Sequence, residues 1–247
     1  MLLAAPLAVL SLAACSDDDS FSASPDHRLA FSADTVSLDT TFSRVPTTTR
    51  TFWVYNRSGD GLRCTSVRLR KGNQTGFRVN VDGMYLGQAS GYQVGGVELR
   101  KDDSLRVFVE LTSADTHSEV PELLEDDLVF TLESGVEQKV NLRAWSWDAT
   151  LLDGLKIRRD TLIQSTKPIV VKGNIEVDSA ATLTIGAGTT LYFSNHAGID
   201  VYGKLRAEGT PEANVTLRGD RIDRMFDYLP YDRVSGQWQG IRLHASS

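Results

Sequence analysis

The segment Ile169-Val-Val-Lys-Gly-Asn-Ile-Glu-Val177 recurs thirty residues later as Ile199-Asp-Val-Tyr-Gly-Lys-Leu-Arg-Ala207. A second run, Thr182-Leu-Thr-Ile185, returns as Asn214-Val-Thr-Leu217 at an offset of 32 residues. Repeats of nearly constant period, with apolar residues on either side of a glycine, are typical of solenoids, in which each coil buries its interior against its neighbours. The repeat therefore predicts a solenoid of β-strands in the second half of the chain, with barely two coils.

A period of two dominates the residues before the repeat. Apolar and polar side chains alternate along Leu105–Leu111 and Val140–Ala144, as expected of half-buried antiparallel strands. Further strand-like runs are Val36–Leu38, Thr51–Tyr55, Phe77–Val81 and Leu128–Leu132. About seven strands suggest a sandwich. We therefore predict an all-β chain, with a β-sandwich over 29–147 and solenoid coils over 148–247, joined through 145–167.

Composition limits the function classes. The 247 residues are enough for two domains, and 41% hydrophobic with 23% charged residues excludes a wholly disordered, collagen-like or multi-span membrane chain. The net charge of −6 provides no positive field for phosphates, which argues against a nucleic-acid partner.

The N-terminus has the pattern of an export signal. Met1–Ala14 is an uncharged apolar run too short to span a bilayer, which is typical of a signal peptide. It ends in Leu12-Ala-Ala-Cys15, which resembles the bacterial lipobox, where the cysteine receives a diacylglyceryl thioether. The alternative is an unlipidated secretory peptide. The resemblance implies lipidation at Cys15 and a lipid anchor in the outer membrane.

Residues 15–28 are predicted to be the lipidated cysteine and an acidic tether. The run Ser16-Asp-Asp-Asp19 is similar to the surface-export signal of Bacteroidetes-type lipoproteins, although a solvated tether would have the same composition. This similarity implies exposure at the cell surface.

The folded part also carries a resemblance. The sandwich is similar to immunoglobulin-like modules of bacterial surface proteins, on the runs 51–59, 77–81 and 104–110. Residues 153–243 resemble the N-terminal coils of right-handed parallel β-helix domains in Bacteroidetes-type surface lipoproteins, on Ala181–Phe193, Val201–Gly209, Arg218–Arg221 and Gly236–Trp238. That family implies a fold and a location but no reaction. Because such helices have many more coils, we expect the chain to be the N-terminal part of a longer protein or a truncated allele of one.

Few residues suggest catalysis. The four histidines lie in separate contexts and no H-E-x-x-H or C-x-x-C spacing occurs, so no metal site is predicted. There is no G-x-S-x-G and no Walker loop, which argues against a nucleotide. Cys64 lies in a strand-like run and is predicted to be a buried structural thiol. No catalytic residue and no cofactor are identified.

A cluster of aromatic and acidic residues near the C-terminus is the candidate ligand contact. Aromatic rings beside carboxylates can hold a sugar ring and its hydroxyls, whereas the alternative is a loop packed over the end of the coils. The candidate residues are Asp223, Phe226, Asp227, Tyr228, Tyr231, Asp232 and Trp238.

Two functions remain open from the sequence. The first is a surface-anchored lipoprotein that acts as a non-catalytic binding or scaffolding module, with a surface glycan or protein as partner. The second is the non-catalytic N-terminal part of a carbohydrate-active β-helix enzyme of the polysaccharide lyase or hydrolase type.

Overall fold

The computed structural model describes residues 20–226 and 228–245, so the predicted signal peptide, Cys15, the acidic run and Asp227 lie outside the described residues. Strands dominate the described part, and its helical segments are two single-turn 3-10 helices, Gln88–Ser90 and Tyr231–Arg233. Within this part no helix has the length and apolar character needed to cross a membrane. The predicted all-β fold class is confirmed.

The first half of the described chain forms a sandwich of two sheets. One sheet has the strand order β1-β3-β9-β5-β6, and the other has the order β2-β11-β10-β4-β7, with β8 also paired to β4. The strands are β1 Leu29–Phe31, β2 Thr35–Phe42, β3 Arg50–Asn56, β4 Leu62–Leu69, β5 Phe77–Val81, β6 Met84–Tyr85, β7 Gln93–Val94, β8 Val97–Leu99, β9 Ser104–Leu111, β10 Glu122–Leu132 and β11 Glu137–Trp147.

The alternating pattern identified the buried faces of β9 and β11 correctly. Along β9 the side chains of Leu105, Val107, Val109 and Leu111 are buried between the sheets, while the residues between them face outward. One strand direction differs from the expectation, because β2 runs parallel to β11 whereas we expected antiparallel strands. The period of two reports which side chains are buried and is the same for both directions.

The second half forms a parallel β-helix of about three coils. Its three sheets have the orders β12-β15-β18-β21, β13-β16-β19-β24 and β14-β17-β20. The strands are β12 Thr150–Leu152, β13 Leu155–Ile157, β14 Thr161–Ile163, β15 Ile169–Val171, β16 Ile175–Val177, β17 Thr182–Gly186, β18 Thr190–Phe193, β19 Ile199–Val201, β20 Lys204–Glu208, β21 Thr216–Gly219 and β24 Ile241–Leu243, with the small hairpin β22 Arg224–Phe226 and β23 Leu229–Pro230 in the last loop.

The stacking corrects the predicted repeat. Ile169 stacks on Leu191, 22 residues further on, and Ile175 stacks on Ile199, 24 residues further on, so the thirty-residue offset pairs strands of different sheets. The two quoted segments match because each turns one corner at a glycine. At Gly203 a Cβ would lie 2.2 Å from the carbonyl oxygens of Ala181 and Asp178. The sequence repeat thus reported the corner geometry and missed the true coil length.

The coil count and the joint are corrected with it. Thr150–Ile163, which fell within the predicted joint, contributes three strands and forms the first coil. The expected two coils therefore become about three. The pattern of apolar residues was weak in this segment because the first coil is less buried than the coils that follow it, and the side chain of Leu162 is largely exposed.

A separate hydrophobic core joins the two domains. Leu151, Val170 and Tyr192 are in register on consecutive strands of one β-helix sheet, and they face outward toward the sandwich. The ring of Phe42, at the end of β2, contacts the ring of Tyr192 edge-on with a centroid distance of 4.7 Å. Phe42 and Val170 are fully buried. The sandwich therefore packs against the side of the β-helix.

Candidate functional site

Residues 220–240 form the long loop between β21 and β24, and they contain every described residue of the predicted ligand contact. The loop leaves the coil at Gly219, crosses to the sandwich and returns to the coil at Trp238. Ile222 packs into the interdomain core beside Val45 and Leu151. Residues 221–223 therefore connect the two domains, and we call this segment the strap.

Asp223 is the anchor of this strap. Its carboxylate is 8% exposed and accepts two hydrogen bonds from Arg221, with Nε–Oδ1 and Nη2–Oδ2 distances of 2.8 and 2.7 Å. The hydroxyl of Thr48, in the sandwich, donates to Asp223 Oδ2 at 2.9 Å. Buried charges are stable only when they are paired and hydrogen bonded, and Arg221 and Thr48 supply both for the carboxylate of Asp223 at the contact between the domains. Both carboxylate oxygens of Asp223 therefore bind groups of the protein itself.

Arg221 connects the strap to an aromatic ring. Its guanidinium carbon lies 3.9 Å from the centroid of the Tyr231 ring, a cation–π contact. Burial acts to lower the pKa of Arg221, but the hydrogen bond and the charge of Asp223 outweigh it, and the net pKa is raised. Arg221 therefore stays charged and holds Asp223 and Tyr231 together.

Phe226 and Tyr228 form a pair that faces solvent. Their rings are stacked at 5.6 Å with an interplanar angle of 11°, and they are 52% and 80% exposed. Asp227, between them in the sequence, lies outside the described residues. This pair is the most exposed aromatic surface of the loop.

Trp238 has a structural position. Its indole stacks on the ring of Phe193 at 4.5 Å and 16°, and it packs against the β-helix core. The alternative of a loop packed over the coil therefore describes Trp238 well. The sequence Gly236-Gln-Trp238, just before β24, does not by itself indicate which aromatic ring packs on the tryptophan.

The loop and the last coil enclose an open groove of about 410 Å³, lined by Arg218, Arg221, Tyr231, Asp232, Gln237 and Trp238. The structure thus brings Tyr231, Asp232 and one face of Trp238 together, while Phe226 and Tyr228 lie outside the lining. The two arginines were not among the sequence candidates. The guanidinium carbon of Arg218 lies 5.7 Å from the centroid of the Tyr192 ring, and Tyr192 is the residue paired with Arg218 on the preceding coil. An aromatic residue at that position was the one sequence feature that could have indicated Arg218.

No protein-family model matches the chain. Ninety-six residues, or 38% of the chain, are 34% identical to the protein bark beetle of Drosophila melanogaster, of which they cover 3%. The chain therefore spans a small fraction of the length of this curated relative.

The solved structures that resemble the chain are distant. A protein of unknown function from Porphyromonas gingivalis W83 has a TM-score of 0.35 and 13% identity, with 54% of this chain and 59% of that chain covered. The ASH/PapD-like domain 7 of human CEP192 has a TM-score of 0.30 and 9% identity, with 57% and 99% covered. A family 123 glycoside hydrolase from Clostridium perfringens has a TM-score of 0.32 and 6% identity, with 49% and 26% covered. Likenesses at this level bear on no function.

Proposed function

We propose that this protein is a surface-anchored lipoprotein whose sandwich and β-helix act together as one rigid, non-catalytic binding or scaffolding module. The observation that carries the proposal is the interdomain core of Phe42, Ala149, Val170 and Tyr192. Domains joined by a small polar contact move relative to each other, whereas a buried apolar interface holds them fixed. A fixed joint is what a protein needs to hold a binding surface at a constant orientation.

Hydrogen bonds reinforce the joint at three places. Thr48 is bonded to Asp223, Arg50 donates to the carbonyl oxygen of Arg224 at 3.0 Å, and Arg44 donates to the carbonyl oxygen of Ala149 at 3.2 Å. Each bond links a sandwich side chain to the β-helix domain or to its connection. Directional bonds around an apolar core fix the angle between two bodies as well as their separation.

The anchor part of the proposal rests on the lipobox-like Leu12–Cys15 and on the acidic run that follows. A diacylglyceryl thioether at Cys15 with a further acyl chain would hold a body of net charge −6 stably on a membrane. The membrane would be the outer membrane, and the module would face outward toward a glycan or protein partner.

Metabolic labelling in a Gram-negative host tests the anchor. Cells that express the full chain would be fed an alkyne fatty acid, and the protein would be captured by azide coupling. We expect the label on the wild type, loss of the label and release from the membrane fraction in Cys15→Ala, and no loss in Cys64→Ala, the matched control. Retention of the label in Cys15→Ala would disprove lipidation at this residue.

Protease shaving of intact cells tests the surface location. We expect external protease to remove the wild-type protein and to spare a variant in which Asp17, Asp18 and Asp19 are changed to Ala. Equal shaving of the two proteins would show that the acidic run does not direct export.

A further inference from the structure

The outer face of the first sandwich sheet carries exposed aromatic side chains. Trp53 on β3, Phe108 on β9 and Tyr85 on β6 are 40%, 37% and 54% exposed, and we call these three residues the aromatic face. Large exposed aromatic residues grouped on one surface are a recognised mark of a binding site. No local pattern indicates this group, because its members are up to 55 residues apart in the sequence.

Strand register brings the aromatic face together. Asn80 on β5 is paired with Phe108 on one side and with Tyr85 on the other, so the three residues form one row across the sheet. At about 4.8 Å per strand, the Cα atoms of Phe108 and Tyr85 are about 10 Å apart. The two rings therefore border a groove whose floor is Asn80. Trp53 lies beside Phe108, because it is paired with Arg106, two positions along the same strand.

The groove has about 250 Å³ of space and polar groups at one end, supplied by Arg78 and Glu110. Arg78 Nη2 donates to Glu110 Oε2 at 2.8 Å, and the hydroxyl of Thr49 donates to the other carboxylate oxygen, Oε1, at 2.5 Å. The Oδ1 atom of Asn80 accepts from the backbone N–H of Gly83 at 2.8 Å, which leaves its NH₂ group for a ligand. The groove thus offers both donors and an acceptor beside its aromatic walls.

Arg106 orders two of the rings. Its guanidinium carbon lies 5.5 Å from the centroid of Trp53 and 5.2 Å from that of Phe108, and its Nη2 donates to the hydroxyl of Thr51 at 3.1 Å. A guanidinium held between two rings limits their rotation. Trp53 and Phe108 are therefore set in place before a ligand arrives, which lowers the entropic cost of binding.

The central strand of the face is closed to one mode of binding. β9 is hydrogen bonded to β3 on one side and to β5 on the other, so its backbone cannot pair with an added peptide strand. β6, which carries Tyr85, is an edge strand of this sheet and is two residues long. Recognition at Phe108 and Trp53 therefore depends on side chains. A pyranose ring suits them, because its C–H face packs on an aromatic ring and its hydroxyls both donate and accept hydrogen bonds. A ligand that filled the groove of about 250 Å³ would displace about eight waters, at about 30 Å³ for each water. This volume suits a ligand with the size of one sugar ring.

We propose that the aromatic face binds a glycan, with one pyranose ring held between Phe108 and Tyr85 and a neighbouring sugar on Trp53. Arg78, Asn80 and Glu110 bind its hydroxyl groups. This inference rests on the proposed binding function and places the ligand on the sandwich sheet, in a groove whose lining contains no residue of the loop at 220–240. Arg106 adds one positive charge to the otherwise neutral Arg78–Glu110 pair, so neutral or uronic-acid glycans are favoured.

Affinity electrophoresis of the full chain tests the site. The native gels would contain xylan, polygalacturonate, glucomannan or mucin, and titration calorimetry with oligosaccharides of the retarding polymer would follow. We expect Phe108→Ala and Tyr85→Ala each to weaken binding about tenfold or more, and Trp53→Ala to weaken binding to longer oligosaccharides. Tyr85→Phe keeps the ring and should bind nearly as the wild type does.

Trp145→Ala is the matched control, because Trp145 is equally exposed but lies on the opposite sheet. It should bind as the wild type does, and all variants should keep the wild-type melting temperature within a few degrees. Loss of binding in Tyr228→Ala, with no effect of Phe108→Ala, would overturn this site while leaving the proposed function in place. Retardation by none of the four polymers would overturn the glycan assignment, and fatty-acid labelling would decide the lipoprotein function separately.

Discussion

The hydroxyl of Thr48 donates a hydrogen bond to the Oδ2 atom of Asp223 at 2.9 Å, across a sequence separation of 175 residues. Thr48 lies just before β3 of the sandwich, and Asp223 lies in the loop that follows β21 of the β-helix, so this bond links the two domains. Arg221 holds the same carboxylate from the β-helix side. The loop at 220–240, which contains the predicted ligand contact, thus has a buried part that connects the domains and an exposed part that holds Phe226 and Tyr228.

Asp223→Ala should lower the free energy of unfolding by about 2 kcal/mol, since it leaves Arg221 and Thr48 without their acceptor. Urea denaturation followed by tryptophan fluorescence measures the change. Asp232→Ala, an exposed acidic residue in the same loop, is the control and should alter stability by less than about 0.5 kcal/mol. Equal effects of the two substitutions would mean that Asp223 does not carry the strap.

Gly203→Ala should destabilise the β-helix by about 2 kcal/mol or more, because the added methyl group would overlap two backbone carbonyl oxygens that lie 2.2 Å from the Cβ position. Thermal unfolding by circular dichroism would report the loss. At Gly59 no atom lies within 4 Å of the Cβ position, so Gly59→Ala should change stability by less than about 1 kcal/mol. Tolerance of alanine at Gly203 would contradict the close corner.

The ion pair of Asp200 with Arg242 makes the last coil sensitive to acid. Two hydrogen bonds from Arg242 at 2.7 Å lower the pKa of Asp200 to about 2, against opposing desolvation by burial and with further help from His244. A carboxylate whose pKa is lower in the folded state than in the unfolded state stabilises the fold at any pH above its unfolded pKa, near 3.8. This stabilisation is lost as the pH falls toward the folded pKa of about 2.

The melting temperature of the wild type and of Asp200→Asn, measured between pH 6 and pH 2, checks this dependence. The wild type should be the more stable above about pH 4, and the difference should shrink as the pH falls to 2. A difference that stays constant over this range would show that Asp200 does not stabilise through its charge.

Cys64 should be inert in the folded protein. It is fully buried in the sandwich core, and desolvation raises its pKa to about 12. Mass spectrometry should find no reaction of Cys64 with iodoacetamide at pH 8 in Cys15→Ser, where Cys64 is the only cysteine, and complete reaction in 6 M guanidinium chloride. Rapid alkylation without denaturant would disprove the burial.

Local patterns in the sequence predicted the strands well and their partners poorly. Val107 and Val109 could be assigned to the core because burial alternates along one strand. The partner of Ile169 could not be found in the same way, since Leu191 and Ile199 are both apolar strand residues and only closure of the coil selects Leu191. The offset of thirty residues was misleading for this reason.

The candidate site shows the same limit. Asp223 and Trp238 were identified as chemically notable residues, but their roles depend on Thr48 and Phe193, which lie far away in the sequence. The aromatic face depends wholly on pairing among four strands. In the sequence Phe108 is simply one outward-facing residue of an alternating run.

The rigidity of the joint is measured most directly as a distance between the two domains. Spin labels at Lys101→Cys in the sandwich and Glu212→Cys in the β-helix, both exposed positions, would be placed in the chain that carries Cys15→Ser, where Cys64 is buried. Pulsed electron paramagnetic resonance should give one narrow distance distribution, which broadens when Phe42→Ala removes the ring that packs on Tyr192. A broad distribution with Phe42 intact would contradict a rigid module and show that the sandwich and the β-helix move independently.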